Sequence, residues 1–191
     1  MGGVLSAPIT SQFVERHGNE FIRAAVVSVQ GFRNDMEDAH TIVLDGFKSP
    51  NVMHFGVFDG HGGKDAAIFM HNQASPAFQK LSDPFSQDAI TQTVLDLDAR
   101  FLATPNREHG TTACMVVAQP VDIDTNEPVA APGDVAADKL GLRLLAVNVG
   151  DSRAMVIRRD GSWLALTQDH KPDNDEERMR ILDAQVRSIL I

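Results

Sequence analysis

The chain has 191 residues, is 43% hydrophobic and carries a formal net charge of −9. That length suits one domain with most of its apolar surface buried. The negative charge and the scattered Lys and Arg exclude a nucleic-acid stripe, while local acidity suits divalent cations. Cys114 is the single cysteine, so no internal disulfide forms and a cytoplasmic setting is expected. No run approaches the roughly 20 apolar residues of a spanning helix, and the N-terminus lacks the pattern of a secretory signal.

Met1-Gly2-Gly3-Val4-Leu5-Ser6 fits the N-myristoylation pattern, with Gly2 as the acceptor. An unmodified terminus is the other reading. One acyl chain without a polybasic cluster gives only reversible membrane contact. Residues 1–20 read as a flexible terminus and residues 21–191 as the folded domain.

Residues 21–30 are β-prone, as are 40–47 and 52–58, with Gly46, Pro50 and Asn51 supplying a turn between the last two. Helix is predicted from Lys64 to about Leu81, with Pro76 as a kink or break. Ser86 caps a second helix on which Ile90, Val94, Leu97 and Phe101 form an apolar face. Strands follow at 112–118 and 142–149, separated by an Asp-, Pro- and Ala-rich stretch, 119–141, that reads as an exposed loop. Residues 154–158 and 163–166 flank Asp160-Gly161, a hairpin signal. Asp173 and Glu176 resemble an acidic capping box, and Met179, Leu182, Val186 and Ile189 carry a helix to the end. Strands outnumber helices and do not alternate with them, so the expected class is α+β with helices on antiparallel sheets.

Two acidic groups carry the chemistry. Asp59 follows an apolar strand within Phe58-Asp59-Gly60-His61-Gly62-Gly63, where glycines let a carboxylate and a backbone carbonyl face one ligand. Arg33-Asn34-Asp35-Met36-Glu37-Asp38 ends the first strand and supplies further oxygen donors, the kind preferred by Mg²⁺ and Mn²⁺. Taken singly, the first run also reads as an ordinary turn and the second as a solvated loop.

Together they resemble the metal-dependent type 2C protein serine/threonine phosphatases. The resemblance rests on residues 33–40, 55–63, 110–113, 148–153 and 167–172, in family order along nearly the whole chain. It implies a β-sandwich of two antiparallel sheets flanked by helices. It also implies two Mn²⁺ or Mg²⁺ ions sharing a hydroxide that attacks a phosphoserine or phosphothreonine of a phosphoprotein substrate, without a phosphoenzyme. By position, Asp59 resembles the carboxylate that bridges the metals, Gly60 the carbonyl donor, Glu37 a second-metal ligand and Asp38 a partner of metal-bound water. Arg33 resembles the phosphate grip, for which a planar guanidinium fork is suited, with a surface ion pair to Asp35 or Glu37 as its plainer reading. His61 resembles the general acid to the leaving oxygen. Asp151 matches a position that holds a further metal in some relatives, and equally reads as a turn residue. Cys114 and the methionines read as core.

The family pattern departs after Ile181, where a Gly-Gly turn and another strand are expected, and two later aspartates of the family are not found. Asp173-Asn174 offers an N-cap instead of a ligand. The expectation is a domain lacking its C-terminal strands, with one metal of two retained and weak or absent turnover. Uncovered sheet edges would favour a homo-oligomer. A non-enzymatic pseudophosphatase that binds phosphoproteins is the alternative.

Overall fold

The structure is a computed structural model that describes residues 4–184. The chain opens with β1 (Ile9–Gly18) and β2 (Arg23–Gly31), an antiparallel pair in register from Gln12↔Val29 to Gly18↔Arg23. Asn19 makes the turn: its Oδ1 accepts from the amides of Phe21 at 2.9 Å and Ile22 at 3.1 Å. The expected flexible terminus is therefore corrected from Ile9 onward. In ITSQFVERHG the apolar residues do not alternate, so backbone pairing with β2, rather than a buried face, makes this strand.

The core lies around a four-stranded antiparallel sheet, order β3-β4-β7-β8, formed by β3 (Ala39–Val43), β4 (Met53–Phe58), β7 (Ala113–Asp122) and β8 (Leu140–Val149). Gly46 and Asn51 adopt φ +85° and +56° between β3 and β4, the left-handed conformations that their turn requires. Helices α1 (Asp65–Phe78) and α2 (Gln87–Leu102) pack on each other, and α1 lies against β3 and β4. Phe58, Ala67, Ala74, Phe78, Leu97 and Met115 fill the interface. The Ser86 side chain caps α2 by accepting from Ala89, and Ile90, Leu97 and Phe101 are buried, as the helical spacing predicted. Helix α1 continues through Pro76, which sits in its last turn. Cys114 is buried.

The core also holds a polar chain: His54 Nδ1 and Ser75 Oγ lie 2.7 Å apart, and Ser75 Oγ and Thr41 Oγ1 3.2 Å apart. It pins β4 and β3 to α1. Short strands β5 (Gly60–His61) and β6 (Gly110–Thr111) pair beyond the end of β4. Hairpin β9 (Met155–Ile157) and β10 (Trp163–Ala165) forms as Asp160-Gly161 predicted.

Three expectations are adjusted. Among the described residues the two large sheets appear as one four-stranded sheet and three two-stranded ones. The loop expected at 119–141 shrinks to 123–139, because β7 and β8 pair out to Asp122↔Leu140. Nor is it wholly exposed: Val129 is buried, its N–H donates to the Pro120 carbonyl, and its own carbonyl accepts from Asn51 Nδ2. Helix α3 (Asp175–Asp183) is capped by Asn174 instead of Asp173, because Asn174 holds the extended φ/ψ that lets Oδ1 accept from Glu176 N–H. Met179 and Leu182 of α3 remain exposed, and Val186 and Ile189 lie outside the described residues. Among the described residues no helix is long and apolar enough to cross a membrane.

Candidate functional site

The candidate site forms where β4 ends and the segment after β2 returns to β3. Gln30 shapes that segment: its Nε2 donates to the carbonyls of Arg33 at 3.0 Å and Asn34 at 2.9 Å. Arg33 is exposed and, among the described residues, has no carboxylate within ion-pair distance, so the surface pair with Asp35 or Glu37 does not form.

Gly60 is fully enclosed against Glu37. A Cβ there would strike the Glu37 carbonyl oxygen and crowd its Cβ at 3.2 Å, so only glycine permits this contact between the two acidic runs. Asp38 feels the convergence. Partial burial and the Asp59 carboxylate push its pKa up, Glu37 adds to this, and Arg33 pulls the other way. Arg33, Glu37, Asp38, Asp59 and Gly60, some twenty residues apart in sequence, are thus brought together at one end of the sheet.

Their donor chemistry, carboxylates and peptide carbonyls, fits a hard divalent cation. Among the described residues, however, no three Asp, Glu, His or Cys side chains converge tightly enough to enclose one.

His61 is exposed on β5, and its ring lies over Gly110 so closely that a Cβ there would collide with Nε2. Beside it, His109 Nδ1 and Asn106 Nδ2 both approach Asp65 Oδ2, at 3.2 and 2.7 Å. This imidazole–carboxylate contact was not signalled by the sequence, where His109 and Asp65 stand far apart in runs of ordinary composition. Asp151 Oδ2 lies 3.4 Å from the Lys171 ammonium. Lys171 also lies 3.5 Å from Asp169, on which the Arg153 guanidinium forks at 2.6 and 2.7 Å. That fork holds the Asp169 carboxyl down to about 2.

Solved structures share this architecture. A phosphatase from a pathogenic strain of Toxoplasma gondii aligns with 98% of the chain at TM-score 0.61 and 23% identity, over 61% of its own length. A Caenorhabditis elegans sex determining protein aligns with 95% of the chain at TM-score 0.62 and 18% identity, over 40% of its length. At these identities the likeness concerns the fold.

The sequence is more specific: residues 22–189 match the family Protein phosphatase 2C, and the chain belongs to that family. It is 33% identical over 186 residues to probable protein phosphatase 2C 5 of Paramecium tetraurelia and 38% identical over 162 residues to probable protein phosphatase 2C 59 of Oryza sativa subsp. japonica. These alignments take in 95% and 82% of the chain but 59% and 43% of the relatives' lengths.

Proposed function

We propose that the chain carries the phosphate-gripping and cation-holding part of a protein serine/threonine phosphatase site. The observation that carries this reading is the lock of Gly60 on Glu37, which sets the acidic run after β2 against Asp59. Glu37, Asp38, Asp59 and the Gly60 carbonyl would hold Mn²⁺ or Mg²⁺. Such an ion supplies water activation and charge neutralisation at the phosphorus. Arg33 forks onto two oxygens of a phosphoserine or phosphothreonine phosphate. His61, exposed beside the acidic group, gives a proton to the departing serine or threonine oxygen. Asp151, whose Oδ2 lies 3.4 Å from the Lys171 ammonium, would hold a further cation.

Turnover by this chain alone is expected to be weak, because the described carboxylates supply a partial shell. That same shortfall favours a second reading, phosphoprotein binding without hydrolysis. Phosphate release from a phosphoserine peptide with Mn²⁺ separates the two. Slow release abolished by Asp59→Asn supports the phosphatase, whereas metal-independent binding through Arg33 with no release supports the binder.

Reversible membrane contact through an acylated Gly2 rests on residues outside those described, and self-association would use the edges of β3 and β8, the outer strands of the four-stranded sheet among the described residues.

A further inference from the structure

Asp59 stands where one ladder hands over to another. Val57 pairs with Cys114 on the β4–β7 side, and Gly60 pairs with Thr111 on the β5–β6 side. Between these rungs Thr112 N–H donates to the Asp59 carbonyl at 2.9 Å. The return bond is unusual: Asp59 N–H donates to the Thr112 side-chain Oγ1, at 3.1 Å, where a regular ladder would offer a carbonyl.

Thr112 Oγ1 is in turn 2.7 Å from Ser152 Oγ. A hydroxyl has one hydrogen and two lone pairs, so Thr112 satisfies both bonds at once. Ser152 belongs to the turn that follows β8, and this turn is clamped from the far side. Arg153 forks onto Asp169, Lys171 bridges Asp169 and Asp151, and Gly150 and His170 exchange bonds through His170 N–H to the Gly150 carbonyl at 2.9 Å and Gly150 N–H to His170 Nδ1 at 3.4 Å. Asn148 Nδ2 ties the same two segments by donating to the carbonyls of Gly150 and Gln168.

We propose that Thr112 and Ser152 are positioning residues, linking the backbone of Asp59 through two hydroxyls to the turn that Asp169 clamps. The carboxylate of Asp59 is then aimed by a turn some ninety residues further along the chain. This rests on the reading of Asp59 as a cation-holding residue.

Thr112 also packs: a Cβ on Gly150 would sit 2.8 Å from its Cγ2. Hydroxyl and methyl are therefore separable, since Thr112→Val keeps the shape and loses the relay, while Thr112→Ser keeps the hydroxyl and loses the methyl. The primary readout is hydrogen exchange of the Asp59 amide in the full chain without metal. In Thr112→Val it should exchange about fivefold faster, the worth of one net hydrogen bond, in Ser152→Ala about threefold faster, and in Thr112→Ser at nearly the wild-type rate. Mn²⁺ titration should follow the same order.

Unchanged exchange in both Thr112→Val and Ser152→Ala would overturn the proposal. So would a Thr112→Ser variant that exchanges as fast as Thr112→Val, since packing would then explain the effect. If Thr112→Val does not fold, Ser152→Ala, on a half-buried turn, decides the matter by the same amide. Failure of the wild-type chain to bind Mn²⁺ would remove the proposed function and leave the exchange result to judge the relay by itself.

Discussion

Acidification is expected to loosen β4, the strand that delivers Asp59, because His54 lies wholly inside the core. Its ring centroid is 4.9 Å from that of Phe78, Nδ1 is bonded to Ser75 Oγ, and Nε2 has no partner. A charge there would be unsolvated, so burial pulls the His54 pKa from 6.5 down to about 4. The unfolded chain therefore binds more protons between these two values than the folded one. Stability is complete above the unfolded pKa, declines as the pH falls below it and levels off once the folded pKa is passed. At roughly 1.36 kcal/mol per unit the whole effect is about 3 kcal/mol, of which about 2 kcal/mol falls between about pH 7 and about pH 5.

Urea unfolding of the wild type and of His54→Gln across that range isolates the contribution, because every other residue is common to both proteins. The stability gap between them should move by about 2 kcal/mol against the wild type on acidification. A gap independent of pH would refute the neutral, buried imidazole. Should the variant fail to fold, an NMR titration of the His54 ring answers the same question: protonation near its ordinary value would mean that the ring is not enclosed.

Gly60→Ala should destabilise the chain by about 1–3 kcal/mol, since its methyl meets the backbone of Glu37 rather than the far end of a flexible side chain. Urea midpoints measure this, and a loss below about 0.5 kcal/mol would show that the acidic run is not locked to Gly60. The Asp169 carboxyl, depressed to about 2 chiefly by its hydrogen bond from Arg153, should contribute stability above the ordinary carboxylate range and lose it as the pH falls through about 2. A ¹³C titration of that carboxyl near its ordinary value would show the clamp absent in solution.

The parts of the fold set by local chemistry were legible in the sequence. The β3–β4 turn announced itself through Gly46 and Asn51, both of which need positive φ, and α2 through Ser86 and its apolar face. The hairpin at Asp160-Gly161 was equally local. By contrast, β1 lacks an alternating pattern and takes its order from β2, so its residues looked like a loose terminus. Helix α3 was placed one residue early because Asp173 and Asn174 are both good caps and only the backbone angle selects between them.

The candidate site divides in the same way. Asp59, Gly60, His61, Arg33, Glu37 and Asp38 sit in two short runs whose chemistry is visible in the sequence. Thr112, Ser152 and Lys171 acquire their roles only from contacts between distant segments: Thr112 and Ser152 are 40 positions apart, and Asp151 is met by Lys171 from beyond another hairpin. No periodicity signals such pairings.

Whether Glu37, Asp38 and Asp59 hold a divalent cation is decided by Mn²⁺ titration calorimetry on the purified chain, with Asp59→Asn and Glu37→Gln in parallel. Saturable binding is expected in the wild type, with its loss in both variants at unchanged thermal stability. Equal Mn²⁺ affinity in all three proteins would mean that these carboxylates do not hold the ion.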